Sequence, residues 1–88
     1  MNYRLLIDYE VNEFLETLPR REQQLLRNRF VAIRDDPQKF SDYTESDHTG
    51  RHVDIHICGK YAVKFWQDHA DRHKKILDLH FADKPPLK

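Results

Sequence analysis

The sequence is poor in several things, and each shortage excludes something. It has one cysteine, Cys58, so it cannot form an internal disulfide, which fits a reducing cytoplasm. It has two glycines, Gly50 and Gly59, too few for a phosphate-cradling loop, and no nucleophile elbow. No apolar run approaches the roughly 20 residues that span a bilayer. The opening MNYRLLIDYE lacks the basic and then apolar segments of a signal peptide. Net charge is also missing: 15 Lys and Arg balance 15 Asp and Glu. A domain dedicated to duplex nucleic acid usually carries a basic excess. Nucleic-acid binding here must be local, or be carried partly by the six histidines.

What is present is a chain of 88 residues, 39% of them apolar, enough for one domain over residues 1–88 with one modest core. Residues 2–8 alternate loosely and read as a strand. Asp8 suits a helix N-cap. Val11, Phe14, Leu15 and Leu18 form an apolar stripe over a helix at about 9–18, stopped by Pro19. A second helix, about 20–35, buries Leu25 or Leu26, the stem of Arg29, Phe30 and Ile33, and ends at Asp35-Asp36-Pro37. Its arginines 20, 21, 27 and 34 read as solvated charges with Glu13, Glu16 or Glu22 as partners. The short link makes an αα-hairpin. Residues 38–50 are polar and read as a loop anchored by Phe40 and Tyr43.

The remainder has period two. Strand 51–57 puts Val53, Ile55 and Ile57 on one face and His52, Asp54 and His56 on the other. Cys58-Gly59 turns the chain. Strand 60–66 points Tyr61, Val63 and Phe65 inward and Ala62, Lys64 and Trp66 outward. QDHADRHK is a turn. Strand 75–81 points Leu77, Leu79 and Phe81 inward and Ile76, Asp78 and His80 outward, and the tail 82–88 frays. The expected architecture is α+β, in the order β-α-α-β-β-β, with a helical hairpin on one face of a small, mainly antiparallel sheet. The face left open carries His52, Asp54, His56, Lys64, Trp66, Asp78 and His80.

Those residue types suggest acid–base chemistry. Histidine exchanges protons near neutral pH, Asp54 is placed to orient His52 or His56, and cross-strand neighbours lie about 5 Å apart. Such a set can cleave RNA without a metal. One group takes the 2′-hydroxyl proton, another protonates the leaving oxygen, and a cation stabilises the phosphorane. Trp66 can stack on a base. A metal site is disfavoured. His52 and His56 stand about 13 Å apart on a strand, whereas zinc–nitrogen bonds are about 2 Å long. His69 and His73 share a turn that reads as solvated. His56 and Cys58 are too far apart along a strand for a nucleophile and its base. No cofactor is implied. The bland alternative is that one face of a half-covered sheet is simply polar.

In its order of elements, the chain resembles the RelE/ParE toxin superfamily of type II toxin–antitoxin systems. The similar segments are YRLLID, the FLETLP helix end, the second helix closing in DDP, Thr49-Gly50-Arg51 leading into the next strand, KYAVKFW and ILDLHFAD. The resemblance implies a bacterial cytoplasmic toxin, of the kind tied to plasmid stabilisation, neutralised by a cognate antitoxin. The RelE-type branch implies ribosome-dependent mRNA cleavage on the open sheet face, and the ParE-type branch implies inhibition of DNA gyrase. Ala62 follows Tyr61 where RelE-type members often carry arginine, and the tail ADKPPLK has no tyrosine. Histidine-using relatives carry histidines at places similar to His56 and His80. The residues expected to act are therefore His56 and His80 as acid and base and Asp54 as their orienting group. Arg51, His52, Lys64 and Trp66 are expected to bind RNA. A non-catalytic binding module with a toxin-like fold is the remaining alternative.

Overall fold

A computed structural model describes residues 3–84. The elements are β1 (Arg4–Ile7), α1 (Tyr9–Glu16), α2 (Arg20–Asp35), a 3-10 turn (Pro37–Phe40), β2 (Tyr43–Ser46), β3 (His52–Cys58), β4 (Tyr61–Asp68) and β5 (His73–Phe81). The strands form one sheet in the order β1-β5-β4-β3-β2. All neighbours are antiparallel except β1, which runs parallel to β5. The α+β architecture therefore stands, with a fifth strand inside the segment 38–50 that read as a loop.

The helical stripes pack as their spacing dictates. Val11 and Leu15 are buried, and Phe14 and Leu18 lie against the same core. The first amides of α1 bond to the carbonyl of Asp8, and no side-chain cap bond forms there, contrary to the expected carboxylate cap. Thr17 and Leu18 fall outside the helix because their amides reach back only three residues, to Phe14 and Leu15, before Pro19. On α2, Leu26, Phe30 and Ile33 are fully buried while Leu25 is 54% exposed. Fully burying side chains of this kind contributes about 1.5–3 kcal/mol each. Of the charges on α2, Arg34 pairs with Asp35, and Glu22 pairs with Lys60 and is attracted more weakly by Arg21. Glu22 also accepts the Tyr61 hydroxyl, pinning α2 to β4. Burial, then the neighbouring carboxylate, pushes that hydroxyl up to about 12.

The two glycines hold turns. Gly50 and Gly59 have φ of +82° and +60°, which side chains rarely adopt. Gly59 and Lys60 join β3 to β4 as a two-residue hairpin whose flanking pair is Cys58 and Tyr61. The β4–β5 hairpin runs further than the sequence reading allowed. Gln67 and Asp68 pair with Lys74 and His73, leaving residues 69–72 as the turn. Of the tail 82–88, residues 85–88 lie outside the described residues, and 82–84 form a turn.

Two departures reposition the chemistry. Residues paired directly across antiparallel strands share a face. Asp54, His56 and Cys58 pair with Phe65, Val63 and Tyr61, all three in the core under the helices. The expected face of β3 is thus inverted: Asp54 and His56 lie on the helix side, and Val53, Ile55 and Ile57 on the open side. The second departure is in β5. Lys64 pairs with Asp78 while Phe65 pairs with Ile76, so Leu77 is an inserted bulge residue. The bulge puts Ile76 into the core, where alternation alone had put Leu77. Asp78 and His80 stay on the open face.

Candidate active site

The open face carries a groove of about 510 Å³ between the β2–β3 hairpin and β4–β5, lined by Glu45, Asp47, His48, Arg51, Lys64 and Asp78 among others. Lys64, on the central strand, is mostly buried by its stem and puts Nζ 3.3 Å from Glu45 on β2. Asp78 is 1% exposed. Its Oδ1 accepts the Leu79 N–H at 3.0 Å, and its Oδ2 lies 3.1 Å from His80 Nδ1. That second contact has ion-pair distance without hydrogen-bond alignment. His80 sits opposite Ala62, beside the pair formed by Lys64 and Asp78. Lys64 thus stands between Glu45, which reaches it from β2, and Asp78 opposite it on β5, with the His80 imidazole beside that carboxylate.

The other wall is built by the turn before β3. Asp47 Oδ1 accepts the Thr49 N–H at 2.9 Å, the Thr49 hydroxyl at 2.6 Å and the Arg51 N–H at 3.0 Å. Its Oδ2 accepts Arg51 Nε at 2.9 Å and stands 2.8 Å from Nη2. Arg51 also lies over Trp66, with its guanidinium carbon 4.3 Å from the ring centroid, and Lys75 Nζ is 5.2 Å from the same ring. The hydrogen bonds from Thr49, followed by those from Arg51, hold the Asp47 carboxyl far below the usual carboxylate range.

Asp42 and Asp68 are depressed as well, chiefly by the backbone N–H groups of Ile57 and Asp71. Groups like these bind a proton more readily in the unfolded chain. Their stabilisation is complete above the ordinary value of 3.8 and is lost as pH falls toward their folded values. Thermal scans are expected to show the melting temperature dropping steeply below about pH 4. Asp47→Asn is expected to flatten that drop. An equally steep drop in the variant would show that Asp47 has no part in it.

The expected residues divide. Arg51, Lys64, Trp66 and His80 all lie on the open face, where Arg51 and Lys64 line the groove, Trp66 lies under Arg51, and His80 stands beside Asp78. His56 does not join them. It is buried on the opposite face, with Nε2 3.0 Å from Arg29 Nη1, Nδ1 3.0 Å from Asp42 Oδ2, and its ring edge-on to Phe40. A guanidinium only donates, so Nε2 must be the acceptor and Nδ1 must carry the proton and donate to Asp42. Nitrogen-15 correlation spectra of the imidazole should therefore show the Nδ1–H tautomer at neutral pH; an Nε2–H pattern would break this assignment. Asp54 accepts the Ser41 hydroxyl at 2.7 Å, and His52 is exposed opposite Ser46. Sequence reasoning missed Glu45 and Asp47, because YTES and the following turn offered no apolar alternation. The one usable signal was Asp47-His48-Thr49-Gly50, an Asx-type turn running into Arg51.

At the β4–β5 turn, Asp68, Asp71 and His73 each bring one ligand atom within 4.8 Å of the others. Asp68 is already engaged there by the Asp71 N–H at 3.2 Å and by Lys75 Nζ at 3.3 Å. Among the described residues no helix is long and apolar enough to cross a membrane.

No protein-family model and no curated protein matches the sequence. Among solved structures, the chain is similar to one in the crystal structure of the archaeal RelE–RelB complex from Pyrococcus horikoshii OT3. The TM-score is 0.77 at 22% identity, covering 97% of this chain and 100% of that one. The match spans nearly the whole chain, so the helical hairpin on a mainly antiparallel sheet is a RelE-like fold.

Proposed function

We propose that the protein is the toxin of a toxin–antitoxin pair and cleaves mRNA at the ribosome, using the open-face groove and no metal. The observation that carries this reading is Lys64 on the open face of a RelE-like fold, with Glu45 on one side of it and the Asp78–His80 pair on the other. Metal-independent cleavage needs a base, an acid and a cation, and these residues supply one of each. Glu45 takes the proton of the 2′-hydroxyl. The freed oxygen attacks the adjacent phosphorus. Lys64, released from Glu45 as that carboxylate takes up the proton, stabilises the charge gathering on the phosphorane oxygens. The bond from phosphorus to the 5′ oxygen breaks, and His80 protonates that oxygen while Asp78 stabilises the imidazolium. The products are a 2′,3′-cyclic phosphate and a 5′-hydroxyl. His56, hydrogen-bonded on the other face, holds the 3-10 turn to the sheet and is not assigned to the reaction.

The paired charges also give the neutral composition a place in this reading. Each groove cation has its own carboxylate, so affinity for free RNA is low and depends on presentation of the mRNA by the ribosome. The partner of the resting protein is the antitoxin.

Expression in bacteria from a tight promoter, with translation and DNA synthesis followed separately, tests the reading. Prompt arrest of translation, relieved by the co-expressed antitoxin, is the expected result. Arrest of DNA synthesis first would replace it with gyrase inhibition. Unchanged growth with folded protein would leave a non-catalytic binding module.

A further inference from the structure

Arg51 is held more tightly than a phosphate-binding arginine needs to be. Asp47 takes its Nε and Nη2, and Asp47 is itself fixed by Thr49 and by the Arg51 backbone. Trp66 supports the guanidinium from one side at 4.3 Å. The side chain is 36% exposed and lines the groove. Among the described residues its Nη1 edge has no partner. Two consequences follow. First, the Trp66 ring is occupied by Arg51, with Lys75 beside it, so a base cannot stack there as the sequence suggested without displacing a cation. Second, the charge of Arg51 is already compensated by Asp47, while its remaining donors keep a fixed direction. A neutralised, rigid fork suits a neutral group with two acceptors in one plane better than it suits a phosphate, whose seat in this groove is Lys64. In RNA that group is the O6/N7 edge of guanine, the usual target of a bidentate arginine.

We propose that Arg51 is the specificity-determining residue of the groove and reads a guanine beside the scissile bond, with Asp47 and Trp66 as its positioning residues. This inference rests on the ribonuclease reading above. Preorganisation is what makes the contact discriminating, since the arm loses little freedom when the base arrives.

The test is a cell-free translation reaction programmed with one mRNA made in two forms, with guanosine or with 7-deazaguanosine. The second form keeps the Watson–Crick edge that codon reading needs but lacks the N7 acceptor. Cut sites are mapped by primer extension. The wild-type protein is expected to cut next to guanosine and to cut the 7-deaza mRNA about 5- to 150-fold less, the fold-change that one bidentate base contact is worth. Arg51→Ala should erase the difference between the two mRNAs. Asp47→Asn and Trp66→Leu should shrink it, and Arg51→Lys should not preserve it, because an ammonium has no fork. Each variant is checked for folding by circular dichroism. Equal cutting of both mRNAs by the wild type, or a ratio that survives in Arg51→Ala, overturns the inference and leaves the nuclease intact. No cuts in either mRNA by the folded wild type overturns the nuclease reading, and this inference with it.

Discussion

Replacing His80 with alanine is expected to lower ribosome-dependent mRNA cleavage by about 10²- to 10⁴-fold, the usual range for losing a general acid. The side chain stands beside a carboxylate that is almost wholly buried, so the loss has a second meaning to exclude. Alanine removes the neighbour of Asp78 and can weaken the fold instead of the chemistry. His80→Gln keeps most of the volume and a polar atom near Asp78 but cannot transfer a proton. It should be as inactive as His80→Ala while melting close to the wild type. An mRNA with sulfur in place of the 5′ bridging oxygen gives a sharper separation, because thiolate leaves without protonation. If His80 supplies the acid, the variant should regain most of its rate on that substrate, whereas Glu45→Gln should not. Catalytic groups that act as a unit are strongly non-additive, so the double variant should be little worse than either single one. If both histidine variants cut normally, the assignment of His80 is wrong.

The two inward-pointing helices and the faces of β4 were legible because a single rule decided them. Val11 and Leu15, Leu26, Phe30 and Ile33 fall at helical spacing, and Tyr61, Val63 and Phe65 alternate; in each case the apolar side had only one place to go. β3 was misread because its apolar side, Val53, Ile55 and Ile57, is the side that the fold turns away from the helices. The rule that the apolar side faces the helices put Val53 and Ile55 inward. The fold instead puts His56 under the helical layer, where Arg29, Asp42 and Phe40 satisfy the ring from two other elements. A buried polar group is tolerated when it is bonded, and the bonding partners are 27 and 14 residues away, so no local pattern announces them. The bulge at Leu77 hid in the same way, since period two cannot reveal an inserted residue. Lys64, Trp66 and His80 were placed on the correct side because each lies on the unambiguous strand or past the bulge. Glu45 escaped because a four-residue edge strand with every residue exposed has no pattern to read.

Phe65→Ala should be the most damaging single substitution for stability, costing about 3–5 kcal/mol. Phe65 is fully buried in the cluster formed by α1, α2 and the central strands. It pairs with Ile76 at the step where β5 bulges, so it also fixes where the bulge falls. The size of the effect has to be set against the whole. A domain of this length has a total stability of about 5–10 kcal/mol, so one such cavity removes about 30% of it or more. Urea unfolding followed by far-ultraviolet circular dichroism should show the midpoint falling sharply at an unchanged slope. Leu25→Ala is the internal comparison: the side chain is more than half exposed, and the change should stay within about 0.5 kcal/mol. Equal midpoints for the two variants would contradict the burial on which this core is built. The groove should fail along with the core. Lys64 and Asp78 face each other only because Phe65 and Ile76, the next pair along, lock the register beneath them. Partial unfolding by Phe65→Ala should therefore reduce cleavage in proportion to the unfolded fraction. His80→Ala should abolish cleavage in protein that remains folded, and the ratio of activity to folded fraction separates the two causes.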